Sequence, residues 1–133
     1  MFRTLRPRLL PSFRLFSTVD TKEALKKIDE TVKGNPVVLF MKGTAERPMC
    51  GYSRTVVQIL NQFPSLTRFT TVNVLADEVI RAAIKEYSQW PTIPQLFVKG
   101  DFVGGCDIVY EMYRNGSLEK LLQDQEIIPK SEE

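Results

Sequence analysis

Residues 37–60 read VVLFMKGTAERPMCGYSRTVVQIL, and the way this stretch divides decides the fold. Val37 to Met41 is a short, continuous apolar run after Asn35-Pro36, as expected of a strand buried on both faces. Lys42 to Met49 is polar and carries Gly43 and Pro48, the composition of a loop. From Gly51 an apolar period buries Val56, Val57 and Leu60 along a helix that runs to about Gln62. At the junction stands Cys50, one of two cysteines in the chain. A thiol at the N-terminal end of a helix faces unpaired backbone N–H groups and the positive end of the helix dipole, which favour an anion. Cysteines so placed titrate at about 3.5–7.5 instead of about 8.5, and Lys42 adds to the effect if the loop folds back. The competing reading is an inert cysteine packed as a small hydrophobe. The small or polar neighbours Gly51, Tyr52, Ser53 and Arg54 favour exposure. A redox pair would carry its second cysteine at position 53, where this chain has Ser53.

On the N-terminal side, Asp20 and Glu23 have capping-box spacing, with Leu25, Ile28 and Val32 at helical spacing and Gly34 as a stop. On the C-terminal side, Phe69 to Val74 reads as a strand, and Asp77 opens a helix through about Ser88 with Val79, Ala83 and Tyr87 on one face. Gln95–Val98 and Phe102–Val103 flank Lys99-Gly100-Asp101, a hairpin signal. Helical character resumes from Asp107 to Arg114 and from Ser117 to about Gln123, and Ile127 to Glu133 reads as a frayed polar tail. Helix, strand, helix, strand, helix, hairpin, helix gives an α/β protein: a small mixed sheet sandwiched between helices. The order is that of the thioredoxin-like fold, although several α/β folds share parts of it.

The bulk of the 133 residues is consistent with one domain, since 43% hydrophobic and 26% charged residues are ordinary values for a globular chain. No apolar run approaches membrane-spanning length. The net charge of +2 hides an asymmetry: Arg3, Arg6, Arg8 and Arg14 stand in a start that has no acidic residue before Asp20. Without those four the body holds 14 basic and 16 acidic residues, a net of −2. Residues 1–19 therefore read as a mitochondrial transit peptide, with a candidate cleavage point after Phe16; a basic tail for acidic surfaces is the competing reading. The slightly acidic body lacks the basic face that nucleic-acid binding needs. The chain has no histidine, which excludes Ser-His-Asp and Cys-His catalytic pairs and histidine metal sites within one chain.

Three further features bear on chemistry. Thr92-Ile93-Pro94 places a proline at a strand entry, where a trans bond is the ordinary expectation. Gly104-Gly105-Cys106-Asp107 is either a tight turn capped by Asp107 or a site where backbone N–H groups approach an anion. Arg81 and Lys85, one helical turn apart, form a solvated surface unless they face Cys50.

Lys42-Gly43-Thr44, Pro48 and Cys50-Gly51-Tyr52-Ser53 together resemble the signature of the monothiol glutaredoxins. Trp90-Pro91-Thr92-Ile93-Pro94-Gln95 and Gly104-Gly105-Cys106-Asp107 match the family's other two motifs in order, and the likeness runs from about Asp20 to Ile127. With the basic leader, the chain resembles the mitochondrial single-domain branch. The resemblance implies a thioredoxin-like fold with a four-stranded sheet and a cis bond at Pro94, a glutaredoxin domain over residues 20–127 and a disordered tail over 128–133. It also implies a glutathione site. Lys42, Arg81 and Lys85 would hold the glycine carboxylate, the Ile93 backbone would pair with the tripeptide like an added strand, Thr92 and Pro94 would line the groove, and Gly105, Cys106 and Asp107 would receive the γ-glutamyl end. Two positions depart from the family pattern: Tyr52 stands where Phe is usual, its ring still implied to flank the thiol in the glutathione site, and Ala45 where a proline is frequent.

A 2Fe–2S cluster usually needs four thiolates. By resemblance, Cys50 is both the redox-active thiol and the cluster ligand, with two chains and two glutathione molecules completing the set. The implied function is a carrier in the mitochondrial matrix, dimeric when loaded. Its partners would be BolA-type proteins, scaffold or chaperone donors and apo iron–sulfur recipients, with neither nucleic acid nor membrane among them. Two other classes remain: a glutathione-dependent oxidoreductase that deglutathionylates proteins, its turnover made poor by the long loop before Cys50, and a binding adaptor without turnover.

Overall fold

A computed structural model describes residues 19–130. The basic leader up to residue 18 and the last three residues lie outside the described part, as does the candidate cleavage point. The elements are α1 (Val19–Gly34), β1 (Val37–Met41), α2 (Gly51–Leu60), β2 (Thr70–Asn73), a 3-10 turn (Val74–Ala76), α3 (Glu78–Ser88), β3 (Gln95–Val98), β4 (Asp101–Gly104), α4 (Cys106–Asn115) and α5 (Ser117–Asp124). They form a four-stranded sheet in the order β2-β1-β3-β4. β1 pairs parallel with β2 across the α2 crossover and antiparallel with β3, and the two-residue turn Lys99–Gly100 folds β4 back on β3. This is the thioredoxin-like α/β architecture anticipated above. No helix among the described residues is long and apolar enough to cross a membrane.

The apolar run of β1 is buried throughout because both faces of the sheet are covered. Side chains alternate across a strand, so Val37, Leu39 and Met41 join Leu96 and Val98 in one core with Val56, Val57 and Leu60 of α2, Val109 of α4, and Leu118 and Leu122 of α5. Val38 and Phe40 join Phe97 in the other, under Ala24, Ile28 and Val32 of α1 and Ala83 and Ile84 of α3. Phe97 is central to that second core, with its ring 5.6 Å from Phe40, 5.9 Å from Tyr87 and 5.4 Å from Phe102.

Three local readings are corrected. Asp20 does not cap α1 but lies inside its first turn, because helical structure is already present at Val19. The second strand is shorter than expected, since Val74 leaves it for the 3-10 turn. The tail does not begin at Ile127. Ile128 is buried and Ile127 partly so, both packed on the first core, because two isoleucines beyond α5 bury more favourably than they stay in water. Asp77 does cap its helix, as expected, accepting from the Val79 and Ile80 N–H groups at 3.0 and 3.2 Å.

Candidate functional site

Cys50 is the N-cap of α2. Its extended backbone (φ −153°, ψ 155°) turns the sulfur onto the first helical turn, where it accepts the Ser53 N–H at 3.3 Å. Ser53, with no solvent exposure at all, places its hydroxyl 3.4 Å from the same sulfur. That hydroxyl also accepts the backbone N–H of Lys42 at 3.1 Å. With a lone pair so committed, its single proton is free to point at the sulfur when the thiol ionises. Burial alone would push the Cys50 pKa up. The hydrogen bond from the Ser53 side chain, the N–H groups of Ser53 and Tyr52, and the charge of Lys42 outweigh it and bring the thiol below its ordinary value. The thiol is half-buried rather than exposed as the sequence suggested, and Lys42 is the cation whose charge reaches it.

Lys42 begins the eight-residue loop that returns to Cys50. The loop is internally paired: the Met49 N–H donates to the Lys42 carbonyl at 2.8 Å, Thr44 and Arg47 exchange backbone bonds at 3.2 and 3.1 Å, and the Thr44 hydroxyl accepts the Arg47 N–H at 3.0 Å. Ala45 packs on the first core. Gly43 has φ +95°, and a Cβ there would sit 2.5 Å from the Arg47 carbonyl oxygen and 2.7 Å from the Met49 nitrogen. The loop is therefore held by hydrogen bonds without the proline that Ala45 replaces.

A groove of about 310 Å³ adjoins this corner, lined by Tyr52, Trp90, Thr92, Ile93, Pro94, Gly105, Cys106, Asp107 and Ile108. The Ile93–Pro94 bond is cis, as the resemblance implied. The turn before it is tied down from within, since buried Gln95 donates its side-chain amide to the Trp90 and Thr92 carbonyls, both at 3.0 Å. Gly105 leaves little room for a side chain, as a Cβ would come 3.1 Å from the Trp90 indole nitrogen and 3.3 Å from the Pro94 carbonyl oxygen. Gly105 also begins α4, whose N-terminus no side chain caps. Two helix N-termini therefore meet at the groove, one carrying Cys50 and the other Cys106. Both cysteines are free. The Cys106 thiol is pushed up by burial, then by the Asp107 carboxylate and by the charge of Cys50.

Seven of the residues singled out from the sequence line this groove: Tyr52, Thr92, Ile93, Pro94, Gly105, Cys106 and Asp107. Lys42 does not line the groove; its backbone N–H bonds the Ser53 hydroxyl and its charge reaches Cys50. Arg81 and Lys85 are half-buried on α3 and are not part of the groove wall. Sequence reasoning missed Ser53, treated there as the absence of a cysteine, and the walls Trp90 and Ile108. Trp90 was visible as part of a motif; Ile108 carried no signal, since an isoleucine in an amphipathic helix reads as core. A larger cavity, about 510 Å³, lies at the opposite end of β1 between Asn35–Val37 and Ser65–Thr70. It contains no cysteine, so its size does not make it the reactive site. Met49 and Tyr52, beside the thiol, are 60% and 66% exposed, an apolar rim open to solvent. Among the described residues no three histidine, cysteine or acidic side chains come together to hold a metal ion.

A family model described as Glutaredoxin matches residues 37–103. The protein named "Probable monothiol glutaredoxin 2" of Rickettsia typhi is 54% identical over 101 residues, covering 76% of this chain and 89% of its own. The monothiol glutaredoxin-5, mitochondrial, of Lachancea kluyveri is 46% identical over 136 residues, covering 97% of this chain and 93% of its own. Among solved structures, the buckwheat glutaredoxin–glutathione complex matches with a TM-score of 0.73 at 30% identity, over 84% of this chain and 98% of that one.

Proposed function

This chain belongs to the glutaredoxin family, in its monothiol branch, and from that premise we propose that it binds glutathione and carries a labile 2Fe–2S cluster across a dimer, delivering it to recipient proteins in iron–sulfur biogenesis. The observation that carries the reading is a free thiol, Cys50, at the N-cap of α2 beside the groove, with no group of three or more metal-ligating side chains among the described residues. A cluster needing four thiolates must then draw on a second chain and on thiols from solution, and a groove beside Cys50 offers glutathione a place. The buckwheat relative was solved as a glutathione complex. In this reading Lys42, with Arg81 and Lys85, holds the glycine carboxylate, the Ile93 backbone pairs with the tripeptide, and the uncapped N-terminus of α4 at Cys106 and Asp107 receives the γ-glutamyl carboxylate. Tyr52 and Met49 form the rim that meets the second chain. BolA-type proteins, cluster donors and apo recipients are the partners of this assembly. The relatives named mitochondrial and the basic leader support a mitochondrial site of action, in the matrix.

Anaerobic reconstitution with iron, sulfide and glutathione tests the reading. Wild-type protein is expected to gain glutathione-dependent visible absorbance and to elute as a dimer, and Cys50→Ser to do neither. Absorbance that survives in Cys50→Ser, or that forms without glutathione, sinks it.

A second reading, glutathione-dependent thiol exchange, is favoured by the free Cys50 thiol at a helix N-terminus whose next residues open onto the groove. The Cys50 thiolate would attack the glutathionyl sulfur of a protein mixed disulfide and release the protein thiolate. A second glutathione thiolate would then attack that same sulfur, releasing glutathione disulfide and the Cys50 thiolate. A protein that turns over a glutathionylated substrate but forms no cluster would replace the first reading with this one.

A further inference from the structure

Asn73 ends β2 and stands opposite Met41, the last residue of β1. Beyond this pair the two chains part, one into the loop that leads to Cys50, the other into the 3-10 turn. The side-chain oxygen of Asn73 accepts the Gly43 N–H at 2.9 Å and the Leu75 N–H at 2.9 Å. A carbonyl oxygen has two lone pairs, so this single atom holds both departing chains. The residue just before Gly43 is Lys42, whose own N–H is fixed on the Ser53 hydroxyl. Two consecutive peptide N–H groups are thus anchored on opposite sides, one to α2 and one to β2, and Lys42 lies between them. Only the Asn73 anchor comes from a side chain outside the thiol's own helix.

We propose that Asn73 is a positioning residue for the glutathione site: it fixes the Lys42–Gly43 corner, and through it the Lys42 cation, without touching the ligand. The proposal rests on the glutathione reading above. A residue that only caps the 3-10 turn would serve Leu75 and leave Lys42 unaffected.

The full chain, reduced and titrated with reduced glutathione by calorimetry, separates these roles. Asn73→Ala is expected to weaken glutathione about tenfold, the scale on which outer-layer orienting residues act, and to speed hydrogen exchange at Gly43 while the sheet amides keep their protection. Asn73→Ser keeps a capping hydroxyl for Leu75 but is one bond too short for Gly43, and serves equally if the alanine variant does not fold; it is expected to behave like Asn73→Ala. The decisive arm is the double variant. Lys42→Ala with Asn73→Ala should bind no more weakly than Lys42→Ala alone, because the second change acts through the first. Unchanged affinity in both Asn73 variants, or fully additive losses in the double variant, overturns the proposal. Wild-type protein that does not bind glutathione overturns the underlying reading instead.

Discussion

Ser53 replaces a resolving cysteine with a hydrogen-bond donor that cannot form a disulfide. Its hydroxyl accepts from the Lys42 backbone and can donate to Cys50, so the position that ends dithiol chemistry also stabilises the thiolate. The sign follows directly. The Cys50 thiol is lowered from its ordinary value, whereas Cys106 is raised, so Cys50 ionises at the lower pH of the two. Alkylation followed by peptide mass spectrometry should therefore show Cys50 reacting with a half-maximal pH below that of Cys106. Ser53→Ala should move the Cys50 midpoint up, because it removes the hydroxyl's hydrogen bond to the thiolate; equal midpoints in the wild type would refute the assignment. Cys50 was legible as a helix cap because the apolar period of α2 fixes where the helix starts. Ser53 was not, because the group that orients it lies eleven residues earlier and meets it only across the β1–α2 corner.

Among the elements, the loop from Lys42 to Met49 departs most from its sequence reading. Composition marks it as a loop, and Ala45 stands where a proline is frequent, yet its ends pair like a short hairpin, with Gly43 bridged to Pro48. Gly43 makes that possible, since its φ of +95° is strained for any residue with a Cβ, and a Cβ would strike two backbone atoms. Gly43→Ala is expected to destabilise the protein by about 1–3 kcal/mol, read as a lower denaturant midpoint at unchanged slope. An unaltered midpoint would show that the loop is not held in this conformation. The same blindness to long-range partners explains the C-terminal end: Ile127 and Ile128 beside polar residues look like tail, and only the hydrophobic surface of the first core gives them somewhere to go.

For the molecule as a whole, two cores on either side of one thin sheet leave α1 and α3 to cover the second face, and a polar contact joins them. The Tyr87 hydroxyl donates to Asp29 at 2.7 Å, and Lys33 pairs with the same carboxylate at 3.0 Å. Tyr87 is pushed up to about 12 by burial, by the hydrogen bond it donates to Asp29 and by the charge of that carboxylate, while Asp29 is held below the usual carboxylate range, chiefly by that hydrogen bond and by Lys33. A raised folded-state pKa gives stability that is complete below the unfolded value of about 10 and is lost as pH rises through about 12. Asp29 gives the converse on the acid side, its contribution fading as pH falls through its lowered value. Tyr87→Phe should thus lower the melting temperature near neutral pH by about 3 °C and weaken the alkaline dependence above pH of about 10; a Phe variant with the wild-type alkaline profile would remove Tyr87 from this role. Local periodicity, turn chemistry and the cap at Cys50 determined the order of elements and the place of the Cys50 thiol at a helix start, because those signals are carried by neighbours in the chain. The groove, the Ser53 and Asn73 bonds, the packed C-terminal isoleucines and the Tyr87–Asp29 tie were decided by tertiary structure alone. Each depends on partners from different elements, whose meeting is fixed by sheet register and by burial on both faces of β1.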